Sequence, residues 1–189
     1  MRDGLLHPCY LSAMISRWGF DLDMSAVRLM RREGDHWQEV ARENIDGPDI
    51  EDRLMSMVHL VEEGAKVHLF LPRDQILYTD VKISSESAAP REIEQAMEGR
   101  TPYALEELRI DWVLTRPGTA RVAAIALETL DEAAAFAEAR GLEPAGFSSL
   151  AEADDFPRMP VFGGDAPIAE SQDTEDEPDA EPDSPATAP

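Results

Sequence analysis

Apolar and polar positions along residues 17–150 recur with a period of two, then about 3.6, then two again, so strands and helices can be read in turn. Phe20-Asp21-Leu22-Asp23 alternates apolar and acidic, Met24-Ser25 supplies a turn, and Ala26 to Arg31 alternates again. Gly34-Asp35 turns the chain into a third short strand, Trp37 to Arg42. Strands joined by short polar turns predict an antiparallel meander. Gly47-Pro48-Asp49 then opens a helix whose stripe is Ile50, Leu54, Met57, Val58 and Val61, and Gly64 closes it. The apolar run Val67 to Leu71 ends at Pro72 and reads as a parallel strand reached by a right-handed crossover.

The stretch from Lys66 to Thr115 organises the rest. Ile76, Tyr78, Asp80 and Lys82 alternate with Leu77, Thr79, Val81 and Ile83, a strand with one mixed face. Pro90 opens a helix over Arg91 to Glu98 and Gly99 stops it. Leu108, Ile110, Trp112 and Leu114 point one way and Arg109, Asp111, Val113 and Thr115 the other. Arg116-Pro117-Gly118 makes a hairpin with Arg121 to Leu127, Thr129 caps a helix that runs to Gly141, and Leu142 to Phe147 is a last strand. The expected order is βββαβ, then βαββα, then β: a mixed α/β fold with the second group inserted into the first.

The boundaries follow from composition. Residues 1–16 read as a disordered extension, or as upstream of a true start at Met14, and residues 17–150 as the domain, with the insertion at about 74–128. Residues 151–164 read as a connector rich in proline and glycine that still holds Phe156, Met159, Val161 and Phe162. Residues 165–189 carry nine acidic residues, no basic and no aromatic ones. Such a segment buries too little apolar surface to offset its ordering entropy, so a disordered acidic tail is expected.

Charge narrows the function. The chain carries 39 acidic and 17 basic residues, a formal charge of −22, and residues 1–164 alone stand at −13. Phosphate backbones and anionic headgroups are repelled by such a surface, and Arg28, Arg31 and Arg32 are too small a cluster to reverse it, so nucleic acid is not an expected partner. One cysteine, Cys9, allows no internal disulfide and no zinc site built on several thiolates. The four histidines show no metal-ligand spacing, and no run approaches the roughly 20 apolar residues of a membrane-spanning helix.

Four passages carry a resemblance. GFDLDMSAVRLMRR, VHLFLPRDQILYTDVKI, RTPYALEELRIDWVL and the Ala139 to Gly146 step, in this order and spacing, resemble the actin-like ATPases. The likeness is strongest to the platform members, the pilus-assembly M protein and the cytoplasmic part of the type II secretion L protein. It covers about residues 18–150 and implies an actin-like, ribonuclease-H-like half domain with an inserted small α+β subdomain. It also implies a phosphate turn at Asp21, Asp23, Ser25 and Arg28. Where the family turn has glycine, this chain has Asp23, and a carboxylate there repels the anion that glycine would admit. The second half of the family's ATP site has no counterpart in the sequence, and no other glycine-rich phosphate motif is present.

These departures predict a scaffold without ATP hydrolysis, cofactor or metal. It would dock an inner-membrane platform protein or a motor ATPase, and stand in the cytoplasm beside the inner membrane. An uncovered strand edge at Ile76 to Ile83 invites such pairing, or pairing with a second copy as a homodimer. Ile76, Tyr78, Tyr103 and Trp112 are the candidate interaction residues, while Trp18 and Trp37 are weighed as anchors or core. A second reading makes the chain the N-terminal cytoplasmic part of a longer membrane-anchored protein. A third takes Asp21, Asp23 and Asp111 as metal-binding carboxylates of a ribonuclease-H-like enzyme.

Overall fold

The computed structural model describes residues 16–150 and 152–164. Strands β1 (Trp18–Leu22), β2 (Ala26–Glu33) and β3 (His36–Asn44) form the expected meander. Helix α1 (Ile50–Val58) leads to β4 (Lys66–Phe70), which lies parallel to β1. The chain then leaves this sheet for β5 (Leu77–Lys82), α2 (Ala89–Met97), β6 (Leu108–Arg116) and β7 (Thr119–Ala126). It returns through α3 (Leu127–Glu138) to β8 (Glu143–Ser148), parallel to β4, and ends in β9 (Val161–Gly164), antiparallel to β8. The result is a six-stranded sheet in the order β3-β2-β1-β4-β8-β9 and a three-stranded sheet in the order β5-β7-β6.

The period-2 pattern explains the two cores. Phe20, Leu29, Val67, Leu69 and Leu71 point from the large sheet toward Leu54 and Met57 of α1 and Leu130, Ala133 and Ala137 of α3. Both helices therefore lie on one face, and Arg140 at the end of α3 reaches Glu51 of α1 at 2.8 and 2.9 Å. In the small sheet the central strand β7 is buried on both sides. Ile76, Ala123 and Ile125 join the main core, whereas Val81, Ala120, Val122 and Ala124 pack against Ala89, Ile93 and Met97 of α2. Ala120 to Ala126 reads as a nearly continuous apolar run because β7 is the central strand.

Positions between these point to the opposite face of the large sheet. There Trp37 meets Phe70 edge-on, ring centroids 4.9 Å apart, and His68 lies 5.0 Å from Phe70. Gly19 sits beneath them: a Cβ there would stand 2.7 Å from the Phe70 ring and 3.2 Å from the His68 carbonyl oxygen. Burial alone pushes the His68 imidazole down to about 4, so the ring is neutral at pH 7.

Several expectations need correction. Within the segment read as a connector, residues 152–164 lie against the domain and also add a strand, since β9 extends the large sheet and Phe156 and Phe162 are core residues. Few apolar residues among prolines and glycines hide a strand from a periodicity reading. Helix α1 stops at Val58 rather than Gly64, since Leu60 and Val61 bond back to Met57 and Val58 in turns. Thr129 does not cap α3; the helix begins at Leu127, directly off β7, with Ala126 before it. The strand expected from Ile76 begins at Leu77, after a short 3-10 turn at Arg73–Gln75.

Candidate functional site

The turn between β1 and β2 is built by two short side chains. Asp23 accepts the Ser25 amide at 2.9 Å and the Ser25 hydroxyl at 2.6 Å, both on Oδ1, and the Asp23 amide donates to the Ala26 carbonyl at 3.0 Å. Aspartate favours turns through such local bonds. These bonds also hold the Asp23 carboxyl below the usual carboxylate range. Glycine is not needed here, because the side chain itself closes the turn.

Asp21 and Arg28 face each other across β1 and β2 and form an ion pair. Asp21 is buried, and its desolvation outweighs the attraction of Arg28, so its pKa is raised. The cation that a phosphate would need is thus already engaged, and two carboxylates stand at the turn. One unit charge 4 Å from another of the same sign costs about 1–4 kcal/mol between water-like and surface-like dielectrics. The arrangement disfavours a phosphate.

Asp111, the third carboxylate considered for metal binding, lies on β6 in the other sheet. Arg158 holds it with two bonds of 2.7 and 2.9 Å, and the amides of Trp112 and Val161 donate to it at 2.8 Å each. Asp21, Asp23 and Asp111 are therefore not brought together, and Asp111 is saturated by donors.

The four interaction candidates separate. Ile76 is buried in the main core, and Tyr78 is half-buried with its ring 6.3 Å from that of Phe156. Trp112 is half-buried against the α2 core. Tyr103 is 39% exposed and stands in a groove of about 430 Å³ between α3 and the segment joining α2 to β6, lined also by Glu107, Glu128, Asp131 and Glu132. Trp18 is core, with its indole N–H donating to Glu62, and Trp37 covers Gly19.

A neighbouring cavity of about 390 Å³ opens beside the β1–β2 turn, lined by Met24, Ile45, Pro72, Glu132 and Phe136 among others. Sequence reasoning did not find Glu132 and Phe136. Their signal was present: Thr129, Glu132, Ala133 and Phe136 recur at i, i+3, i+4 and i+7, one face of α3.

A scan of protein-family models matched none, and no curated protein sequence matched the chain. Solved structures did match. The chain is similar to the cytoplasmic domain of EpsL, an inner membrane component of the type II secretion system of Vibrio cholerae, with 12% identity and a TM-score of 0.52. That match covers 69% of this chain and 55% of the other. It is also similar to a chain of the PilM-PilN type IV pilus biogenesis complex, with 14% identity, a TM-score of 0.56, and coverage of 71% of this chain and 47% of the other. The chain thus spans about half the length of these two structures. At such identities the likeness is one of fold, and the fold is the mixed α/β architecture of these secretion and pilus proteins.

Proposed function

We propose that the chain is a non-catalytic docking module of an envelope secretion or pilus assembly platform, acting through protein–protein contact. One observation carries this reading: the turn where an actin-like ATPase holds phosphate is occupied by Asp23, with Arg28 neutralised by Asp21. The likeness to EpsL and to the PilM-PilN complex supports the choice of machine, and the latter's description as a complex supports a protein partner. The docking surface is the groove between α3 and the segment joining α2 to β6, beside Tyr103, whose rim is acidic. Among the described residues no helix is long and apolar enough to cross a membrane. The partner is an inner-membrane platform protein or the motor ATPase of the same system.

The test is isothermal titration against the cytoplasmic segment of the platform protein encoded in the same system. Saturable binding is expected, weakened about thirtyfold by Tyr103→Glu, since an aromatic hot spot contributes about 2 kcal/mol or more. No heat of binding with any platform component, or Mg-ATP turnover abolished by Asp21→Ala, would refute the reading.

A further inference from the structure

One row of residues crosses the face of the large sheet that lies opposite α1 and α3. Met30, Gly19, His68, Gly146 and Gly164 pair in register from β2 to β9. His68 is 1% exposed although glycine flanks it on both neighbouring strands. The Trp37 and Phe70 rings both lean over Gly19 and so cover the imidazole on its β1 flank. On the β8 flank Gly146 and Gly164 form a floor without side chains, and fully buried Ser148 stands two residues further along the same face. Nε2 of His68, Oγ of Ser148 and Nε1 of Trp37 are buried and have no hydrogen-bond partner among the described residues. Folded proteins pair such atoms almost without exception. The described helices pack elsewhere, α1 and α3 on the other face and α2 on the small sheet. What buries this row must therefore bring polar groups as well as apolar surface.

We propose that residues 1–15 of this chain fold back over this face, with their backbone along the Gly146–Gly164 floor and their apolar side chains against Met30, Trp37 and His68. Main-chain groups of the segment pair with His68 and Ser148, because glycine lets another backbone approach closely. Position favours this segment. It joins the fold at Ser16, whose hydroxyl donates to the Lys66 carbonyl at 2.5 Å. Lys66 precedes His68 by two residues on β4, roughly 7 Å of strand. Fifteen extended residues span up to about 50 Å, against about 24 Å for the width of six strands. Composition separates the two terminal segments. Leu5, Leu6, Tyr10, Leu11, Met14 and Ile15 supply apolar surface, and the charges of Arg2 and Asp3 cancel. Residues 165–189 follow Gly164 at the same floor, yet carry one large apolar residue, Ile168, and nine acidic ones. The row offers no cation, so carboxylates would lose water there without compensation, whereas leucine gains by burial. The sequence alone leaves residues 1–15 as an extension, because the surface that receives them is assembled from strands as distant as β2 and β9. The inference is independent of the docking-module reading.

The experiment is nuclear Overhauser spectroscopy on the isotope-labelled full chain, with Leu6→Asp and Leu11→Asp beside the wild type. Contacts are expected from the Leu5, Leu6 and Leu11 methyls to the Trp37 indole, the His68 ring and the Gly146 α-protons. Exchange of the Trp37 indole proton with solvent should rise about tenfold in either variant, as the opening of a local cover allows. Both substitutions lie outside the two hydrophobic cores, and the Gly19–Met30 contact between β1 and β2 reports whether the sheet persists. No contact from residues 1–15 to this face in the wild type would overturn the proposal, and so would indole exchange unchanged by both substitutions. Contacts seen only between differently labelled chains would overturn it in favour of a second copy. Contacts from residues 165–189 to His68 and Gly146 would overturn it in favour of the acidic tail. Platform-partner binding does not enter the test, so its failure leaves the docking module standing.

Discussion

Replacing Arg158 by methionine tests the claim that residues 152–164 belong to the fold. Arg158 donates to both oxygens of Asp111 at 2.7 and 2.9 Å, and its side chain is 34% exposed against 14% for Asp111. Removing one partner of a fully buried pair costs about 3–5 kcal/mol, because the remaining charge stays desolvated. An exposed pair costs about 1 kcal/mol or less. With one partner mostly buried, the other a third exposed, and the Trp112 and Val161 amides still donating to Asp111, Arg158→Met should cost about 2 kcal/mol. For a domain of this size that lowers Tm by roughly 4–8 °C. Urea denaturation of the wild type, Arg158→Met, Asp111→Asn and the double variant would give the coupling, expected at about 1–2 kcal/mol. The Val161 amide should also exchange faster with deuterated solvent in Arg158→Met, because β9 loses its tie to β6. A loss under 0.5 kcal/mol with no coupling would refute the reasoning.

Two further outcomes follow from the face of the large sheet that carries no helix among the described residues. Gly19→Ala places a Cβ against the Phe70 ring and the His68 carbonyl, and such overpacking should cost about 1–3 kcal/mol in a urea melt. His68 is held neutral by burial, with its pKa down to about 4 against 6.5 when unfolded. The folded state therefore resists a proton that the unfolded chain accepts, and stability is lost as pH falls from 6.5 toward 4. Between pH 7 and pH 4.5 the wild type should lose about 2 kcal/mol more than His68→Met, and parallel profiles would show that His68 does not govern this window.

Much of the architecture was legible because burial and periodicity coincide. Phe20 and Leu22 alternate with Asp21 and Asp23 on a strand with a helix-covered face, so the period of two survives in the sequence. β1, β4 and β8 lie parallel because α1 and α3, packed on one face of the sheet, carry the chain back to its starting end before β4 and β8. What stayed hidden depended on contacts between distant residues. Nothing local marks Val161–Gly164 as a strand; its pairing with β8 and the bond from its first amide to Asp111 hold it there. At the site, Asp23 and Arg28 were read from the chain, but the engagement of Arg28 by Asp21 needed the register of β1 on β2. β5 is an edge strand of the small sheet, but alternation could not reveal that Ile76 and Tyr78 pack against the main core.

The tie between Asp111 and Arg158 also sets an order in time. Arg158 follows Asp111 by 47 residues and the Val161 amide by 50. At about 5–20 residues per second of synthesis, roughly 2–10 s separate the carboxylate from its guanidinium. During that interval β7, α3 and β8 are added in turn, while the acid stands without its counter-ion and the large sheet still lacks β9. The growing protein thus passes through a state in which the outer edge of β8 waits for β9.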